Sequence, residues 1–348
     1  MLYSIVFYRA VAIILVVAGH FLNTLGDQSG SVFELFLVNL ILGGTFLFVF
    51  ISGFLFHHIF YSKFEYKNFL ISKFKKVFIP YLVCGFLAVL LQVYSYNDKS
   101  FGFYLPSGTG WFNEIFIPVI KYYLTGGFLI AYWFIPFIMC MFLLSPLHVK
   151  FCMFSLRVKL FLFFLFSIIS VFIQRPVDNF NVIQSLIYFF PIYLLGIICS
   201  CHRGIILGFF KDKLFLLLSL CVIASVTQSL VGEYGSYHKQ PFDFGSFDLL
   251  FVQKISMCLF LFVLLENNPP HNNSIVTSIS NASFAIYFIH PYFVLLVSLI
   301  TKKYQLDVGF YVWPLFFILI FLVMLLCVMI LKLTKYMFKS YSRYLLGA

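Results

Sequence analysis

An apolar stretch at the start of the chain decides the fold: residues 3–22 read YSIVFYRAVAIILVVAGHFL. A helix of this length spans about 30 Å, the thickness of the hydrocarbon core of a bilayer. Two polar side chains interrupt it, Arg9 and His20. The eleven helical steps between them turn roughly 1,100°, about 20° past three full turns, so the two side chains share one face about 16 Å apart. A charged group at membrane depth costs on the order of 3 kcal/mol, and the pair therefore predicts a site inside the membrane.

The composition predicts an all-α, polytopic integral membrane protein. Of the 348 residues, 62% are hydrophobic and 10% are charged, whereas about a quarter of the residues of a soluble domain are charged. We treat 1–348 as a single integral-membrane domain and expect no appended soluble domain. Apolar runs predict about ten transmembrane helices, at residues 3–23, 35–60, 77–95, 128–147, 160–174, 182–201, 214–231, 249–266, 282–300 and 310–332.

One further stretch, residues 111–124, carries Glu114, Pro118 and Lys121 among its apolar residues. Charges and a proline at these positions argue against a membrane-crossing helix. We predict that the stretch is interfacial or re-entrant rather than spanning.

The distribution of basic residues predicts the orientation. With the N-terminus in the cytoplasm, fifteen of the 23 lysines and arginines fall in cytoplasmic segments and six in segments outside. This bias predicts that both termini are cytoplasmic. The net charge of +11 is then mostly a topology signal, and no soluble basic face is long enough to bind nucleic acid. The eight cysteines form no C-x-x-C pair, so we expect neither a disulfide framework nor a metal site.

Five stretches, taken together and in order, resemble the membrane-bound acyltransferase family 3, which comprises integral-membrane O-acyltransferases of bacterial surface polysaccharides. The first is Arg9 to His20, which matches an R-x10-H motif. The other four are the glycine- and phenylalanine-rich stretch 43–54, the basic stretch 73–81 that leads into Pro80, Trp133-Phe134 with its apolar run to Pro146, and the block 280–290 that ends in His290. Two departures from the family's pattern matter: Lys73 and Lys76 stand where arginine is usual, and Phe284 stands where tyrosine is common.

The resemblance implies acyl transfer from acetyl-CoA, the acyl donor, to a hydroxyl of a surface polysaccharide or a lipid-linked sugar precursor. Such a reaction needs a base, and the pKa of about 6.5 of an ordinary histidine suits His20 to that role, as general base or as a transient acyl carrier. We expect Arg9 to take part in catalysis and to bind the phosphate or thioester region of the donor. The alternative is that Arg9 reaches the lipid headgroups or pairs with a carboxylate.

The remaining candidate residues have weaker signals. Lys73, Lys76 and Trp133 are expected to bind the donor, and the alternatives are attraction to anionic lipid for the lysines and an interfacial anchor for the tryptophan. Ser52 is expected to line the acceptor pocket, unless it serves close helix packing. Tyr287 and His290 lie one helical turn apart and are expected to contact the acceptor, although a structural hydrogen bond beside Pro291 explains His290 slightly better.

Two rival functions remain open. The first is a transporter or flippase of a lipid-linked glycan in which Arg9 and His20 line the pathway, although no convincing internal repeat supports it. The second is a succinyl- or longer-chain acyltransferase of the same fold. Acyl-CoA, a glycan acceptor and membrane lipid are the expected partners, in the bacterial cytoplasmic (inner) membrane. The oligomeric state and the acylated position are not predicted.

Overall fold

The structure, a computed structural model, describes residues 3–25, 31–94, 104, 106, 108–235, 237–240, 243, 247–271, 273–305 and 312–347. These residues are almost entirely helical. The α-helices are α1 (Tyr3–Leu25), α2 (Val32–Ile41), α3 (Gly44–Leu55), α4 (Tyr66–Lys73), α5 (Ile79–Tyr94), α6 (Ile117–Thr125), α7 (Phe134–Leu143), α8 (Ser145–Met153), α9 (Leu156–Ile173), α10 (Val182–Cys201), α11 (Arg203–Phe210), α12 (Leu214–Leu230), α13 (Leu249–Asn267), α14 (Ser274–Lys303), α15 (Val312–Phe338) and α16 (Ser342–Leu346).

Shorter elements join some of these helices. Three π-helical turns cover Phe56–Phe60, Phe74–Phe78 and Phe112–Phe116. Two strands of two residues each, β1 (Arg175–Pro176) and β2 (His238–Lys239), pair in parallel, with Arg175 opposite His238.

The described helices confirm an all-α membrane protein. Eight helical stretches of the described residues are long and apolar enough to cross a membrane. One of them, Val32–Lys63, is not the unbroken helix predicted for 35–60, because Leu42 is extended and Gly43 has a φ of 84°. The bent pair α7 and α8, which turn by 56° between them, makes a ninth. Helix α12 covers the predicted span 214–231 with 17 residues. The stretch 111–124 forms a π-helical turn and α6 and is not among the described stretches long enough to span.

One predicted span begins later than expected. The prediction started a helix at residue 128, but residues 126–133 form consecutive turns and α7 begins at Phe134. Gly126 and Ala131 have φ values of 73° and 75°, and a right-handed helix cannot pass through such residues. The apolar composition of this segment hid the change of backbone direction.

Both ends of the described chain lie at one end of the bundle. Ser4 donates a hydrogen bond to Glu266 at the end of α13, and Arg203 at the start of α11 forms an ion pair with the same carboxylate. Near the C-terminus, Gly347 packs against the carbonyl of Lys76 and the side chain of Phe284. Phe284 follows Ser283, whose hydroxyl accepts a hydrogen bond from Arg9 near the start of α1. A chain with both termini on the same side of the membrane requires this arrangement. That this side is the cytoplasm stays a prediction.

Helices α3 and α10 make the closest crossing, and glycine allows it from both sides. A methyl group on Gly53 would overlap the carbonyl of Tyr193, and one on Gly196 would lie 2.7 Å from the amide nitrogen of Phe54. Small residues let two backbones approach this closely in a membrane, where packing rather than water exclusion drives helix association. The crossing holds α3, and with it the start of α3 beside α1, in a fixed position.

Candidate active site

A cavity of about 850 Å³ opens at the end of the bundle opposite to the chain termini. Its size lies within the range of small-molecule sites. The walls come from the end of α1, the start of α3, the last part of α14 and three connecting segments. The lining residues lie within 15–24, 42–45, 291–298, 126–133, 175–180 and 233–235, together with Gln92 on α5 and His238.

His20 lies on the cavity wall contributed by α1. The hydroxyl of Thr24 donates a hydrogen bond to the backbone carbonyl of His20. This bond leaves the imidazole of His20 unaffected. The Nδ1 atom of His20 is buried and has no hydrogen-bond partner among the described residues. Beside the ring lies the imidazole of His290 on α14, with 5.5 Å between ring centroids and 26° between ring planes. His20 therefore combines access to a cavity with unused hydrogen-bonding capacity.

The wall that faces this part of α1 is a break between two helices. After α2 ends, Leu42 is extended and Gly43 has a φ of 84°, so that α3 starts in a new direction. A methyl group on Gly44 would lie 2.7 Å from the backbone nitrogen of Val16. The start of α3 is thus seated on α1 one turn before His20.

A buried lysine on α13 stabilises this break. The ammonium of Lys254 donates hydrogen bonds to the carbonyls of Asn39 at 3.3 Å and Leu40 at 2.9 Å. These carbonyls belong to the last turn of α2, where carbonyl oxygens have no backbone N–H partner within the helix. A cation is favourable at this end of a helix. The side chain of Asn39 in turn accepts from the amide of Gly235 at 2.8 Å. A membrane-buried cation here serves the shape of the cavity wall.

A second cation, the half-buried Arg175, lies on the cavity wall itself. The guanidinium carbon is 4.9 Å from the centre of the Trp133 ring, and Nη2 donates to Asn179 at 2.6 Å. Trp133 is itself packed in place, because its ring stacks on those of Phe137 and Phe189 at 5.8 and 5.9 Å. Trp133 lines the same cavity as His20 and supports Arg175 there by a cation–π contact.

A buried acid that is not among the described residues lining the cavity interacts electrostatically with Arg175. Asp248, fully buried at the start of α13, accepts from the Tyr188 hydroxyl at 2.7 Å and from the Phe251 amide at 2.9 Å. Burial raises the pKa of Asp248 to about 6, against these hydrogen bonds and the charge of Arg175. Burial lowers the pKa of Arg175, and Tyr188 and Asp248 oppose this effect. Burial and the Arg175 charge together lower the pKa of His238 to about 4.

Tyrosine side chains tie the segment 126–133 to α14. The Tyr287 hydroxyl donates to the carbonyl of Ala131, and the Tyr132 hydroxyl donates to the carbonyl of Phe288 at 2.8 Å. Tyr287 is not among the described residues that line the cavity. Its position supports the cavity wall from behind.

Arg9 and His20 face the same neighbouring helix. Arg9 donates to the Ser283 hydroxyl at 2.7 Å, and His20 stacks on His290, seven residues further along α14. The predicted common face of α1 is therefore confirmed by the contacts. The cavity reaches along α1 from Thr24 to Leu15, and Arg9 lies about 9 Å beyond that point. In the described residues the two groups share a helix face but not one cavity.

The basic stretch 73–81 lies at the opposite end of the bundle. The ammonium of Lys73 lies among three phenylalanine rings, 4.4 Å from Phe60, 4.6 Å from Phe142 and 5.2 Å from Phe69. Lys76 is exposed. Lys76 rather than Lys73 is thus the lysine that can meet a ligand phosphate without giving up its present contacts.

Ser52 lies outside the described cavity. Its hydroxyl bonds to the carbonyl of Phe48 within α3 at 2.9 Å. Among the described residues, no group of three or more His, Cys, Asp or Glu side chains is arranged to hold a metal ion.

A family model described as an acyltransferase domain matches residues 2–333. The chain belongs to acyltransferase family 3. This protein is therefore a membrane acyltransferase, and the match covers all five stretches that carried the resemblance. No curated protein and no solved structure matches the chain.

In this acyltransferase the first and last motifs meet as pairs, Arg9 with Ser283 and His20 with His290. Helical periodicity placed Arg9 and His20 on one face. Arg175 was missed as a site residue, because its only sequence signal was a charge and a proline directly after an apolar run. Its neighbours Trp133 and Asp248 are far away in the sequence, and no local pattern connects the three.

Proposed function

We propose that this acyltransferase is an O-acetyltransferase that moves an acetyl group from acetyl-CoA to a hydroxyl of a surface polysaccharide or its lipid-linked sugar precursor. The observation that carries the proposal is the position of His20, whose imidazole lines a cavity large enough for a sugar unit in a member of this family. Asparagine, glutamine, aspartate and glutamate side chains also line that cavity. Such groups suit the hydroxyls of a sugar.

The reaction needs one proton to move. The acceptor hydroxyl oxygen attacks the thioester carbonyl carbon while His20 Nε2 takes the hydroxyl proton; the carbon–sulfur bond then breaks and the CoA sulfur leaves with that proton. If His20 acts first as nucleophile, its Nε2 attacks the thioester carbonyl carbon, the carbon–sulfur bond breaks and CoA leaves as the thiolate; the acceptor oxygen then attacks the acetyl carbon, the carbon–nitrogen bond breaks, and the hydroxyl proton passes to the CoA thiolate. Both routes require a free lone pair on Nε2 facing the cavity.

Arg175 supplies the positive charge that either route needs. Negative charge develops on the carbonyl oxygen in the transition state, and a pre-positioned cation in a dehydrated site stabilises it. Arg175 lines the cavity with His20 and is held there by Trp133 and Asn179. We assign to Arg175 the stabilisation of this oxyanion. Trp133 holds Arg175 in position.

The donor enters from the end that holds the chain termini. Acetyl-CoA is a cytoplasmic metabolite, and the predicted orientation puts Arg9 and the exposed Lys76 on that side. Arg9 binds a phosphate of CoA, and the pantetheine arm extends from it along the face of α1 and carries the thioester to His20, about 16 Å away. The acceptor approaches His20 from outside the cytoplasmic membrane. The surfaces that meet donor and acceptor are shaped by internal contacts of Ser52, Tyr287 and Lys73.

Release of CoA tests the proposal. Purified protein with labelled acetyl-CoA and a glycan acceptor is expected to release CoA, and His20→Ala is expected to abolish the release while the protein stays folded. His271→Ala is the matched control, since His271 is an exposed loop histidine. An active His20→Ala variant contradicts the proposal. Passage of labelled glycan across vesicles without consumption of CoA would favour a transporter instead.

The donor assignments are tested separately. Arg9→Ala should raise the KM for acetyl-CoA and leave the KM for the acceptor unchanged, whereas Arg157→Ala, which removes an exposed arginine on α9, should change neither. An unchanged donor KM in Arg9→Ala rejects the assigned role. Competition with succinyl-CoA, followed by mass spectrometry of the acylated glycan, identifies the acyl group.

A further inference from the structure

The imidazoles of His20 and His290 form a pair inside the protein. The rings are nearly parallel with centroids 5.5 Å apart. His290 is completely buried, whereas His20 reaches the cavity. On each ring one buried nitrogen has no hydrogen-bond partner among the described residues: Nδ1 of His20 and Nε2 of His290.

The backbone of α14 determines the tautomer of His290. Its Nδ1 lies 2.8 Å from the carbonyl oxygen of Ile286. A carbonyl oxygen can only accept, so the proton of a neutral His290 must be on Nδ1. Pro291 has no N–H and leaves the carbonyl of Tyr287, the residue next to Ile286, without its helical donor. The structural role of His290 beside the proline thereby leaves Nε2 as a bare acceptor.

The two unpartnered nitrogens are complementary. A buried polar atom without a partner costs about 1–3 kcal/mol. If His20 carries its proton on Nδ1, it offers the donor that His290 Nε2 lacks, directly or through one bridging water molecule. If His20 carried the proton on Nε2 instead, both unpartnered nitrogens would be acceptors and neither could satisfy the other.

We propose that His290 is the positioning residue of His20: its Nε2 accepts the Nδ1 proton of His20 and so leaves the His20 Nε2 lone pair facing the cavity. The proposal rests on the proposed function, in which His20 is the base or the acyl carrier, and both of those roles need this tautomer. In serine hydrolases a carboxylate holds the histidine in the same way. Here a neutral imidazole, anchored on a carbonyl, takes the place of the acid.

The other charged groups near the pair fit a neutral partner. Arg175 and His238 line the same cavity as His20. The acids that line the described cavity, Asp178 and Glu233, are exposed residues of the connecting segments. With a half-buried guanidinium on the same cavity wall, a neutral His20 is the electrostatically favoured form, and hydrogen bonding rather than charge then has to orient it.

The decisive measurement is the tautomer of His20, read from ¹⁵N chemical shifts of protein labelled with ¹⁵N-histidine in nanodiscs. The His20 resonance is assigned by its loss in His20→Ala. We expect Nδ1 to be protonated in the wild-type protein and the Nε2–H form to become populated in His290→Phe, which keeps an aromatic ring but removes the acceptor. The matched control is His148→Phe, because His148 is also fully buried among aromatic rings but lies away from the cavity.

Kinetics provide the second readout. In His290→Phe, kcat should fall roughly 10- to 100-fold, a part of what a general base contributes, while the KM for acetyl-CoA stays unchanged. In His290→Gln the side-chain carbonyl can accept the proton again, and kcat should partly recover. Thermal unfolding of each variant shows whether the helix beside Pro291 is intact.

The outcomes separate the two proposals. A His20 tautomer that is unchanged in His290→Phe overturns the positioning role, as does an equal loss of kcat in the phenylalanine and glutamine variants. Full activity of His20→Ala overturns the proposed function, and the tautomer measurement is independent of that result because it needs no turnover.

Discussion

The crossing of α3 and α10 allows a test of the fold that does not depend on the reaction. A methyl group on Gly53 would lie 2.9 Å from the carbonyl carbon of Tyr193 and would overlap its oxygen. Ordinary contacts begin at 3.4 Å, so the carbon alone would require a shift of 0.5 Å, the difference of the two distances, and the closer oxygen requires a larger one. Because the obstacle is backbone rather than a flexible side chain, we expect Gly53→Ala to lower the free energy of unfolding by about 2 kcal/mol.

The assay is unfolding in mixed micelles of a mild detergent and SDS, with two comparisons. Gly208→Ala makes the same change on α11, where nothing lies within 4 Å of the added methyl group, and should stabilise the protein by up to about 1 kcal/mol. Gly196→Ala strains the same crossing from the other side. Once the helices have separated, the second methyl group has room, so the double variant should lose less than the sum of the single losses. Equal stabilities of Gly53→Ala and Gly208→Ala, or strict additivity, would refute this account of the crossing.

Three further predictions concern the cavity walls. Lys254→Met should lower the free energy of unfolding by about 1–3 kcal/mol, because it removes a charged donor from buried carbonyls; Lys254→Gln, which keeps a donor, should lose less in the same assay. Tyr287→Phe should cost about 1 kcal/mol and raise the KM for the acceptor, because the turn at Ala131 loses its anchor; an unchanged KM would contradict this. The raised pKa of Asp248, about 6, means that the folded state holds this proton more tightly than the unfolded state, so stability should fall as the pH rises through 6. Between pH 5 and 7 the loss should be about 1 kcal/mol, and Asp248→Asn, which keeps the acceptor at the helix start, should remove this slope in thermal unfolding curves.

The sequence predicts the helical elements well, because a membrane restricts the spanning choices to long apolar helices. The spans and the shared face of Arg9 and His20 follow from length and from the 3.6-residue period. The turns at 126–133 were missed because backbone direction there depends on Ala131, which has a positive φ without being glycine. A single non-glycine residue in that conformation leaves no signal in composition or periodicity.

The partners of the buried charges could not be read from the sequence. Lys254 meets the end of α2 more than 200 positions away, and Arg175 meets Trp133 across a connecting segment. Such contacts depend on how helices are arranged in the bundle, and each charge alone is compatible with a catalytic, a structural or a topological role. The chain order of the five motifs gave the family, but only the three-dimensional arrangement joined the first motif to the last.

The hydrogen-bonding capacity that remains unused inside the protein distinguishes these roles. The ammonium of Lys254 is shared between two carbonyls and a thioether sulfur, and that of Lys73 is surrounded by rings, so neither has much to offer a ligand. Arg9 has five N–H donors and uses one side-chain hydrogen bond in the described structure, which leaves capacity for a phosphate. His20 has a buried nitrogen without a partner on one side and a cavity on the other. Under the proposed function, the spare donors of Arg9 and the cavity side of His20 are the groups whose partners arrive with the substrate, whereas the buried Nδ1 of His20 is left to His290.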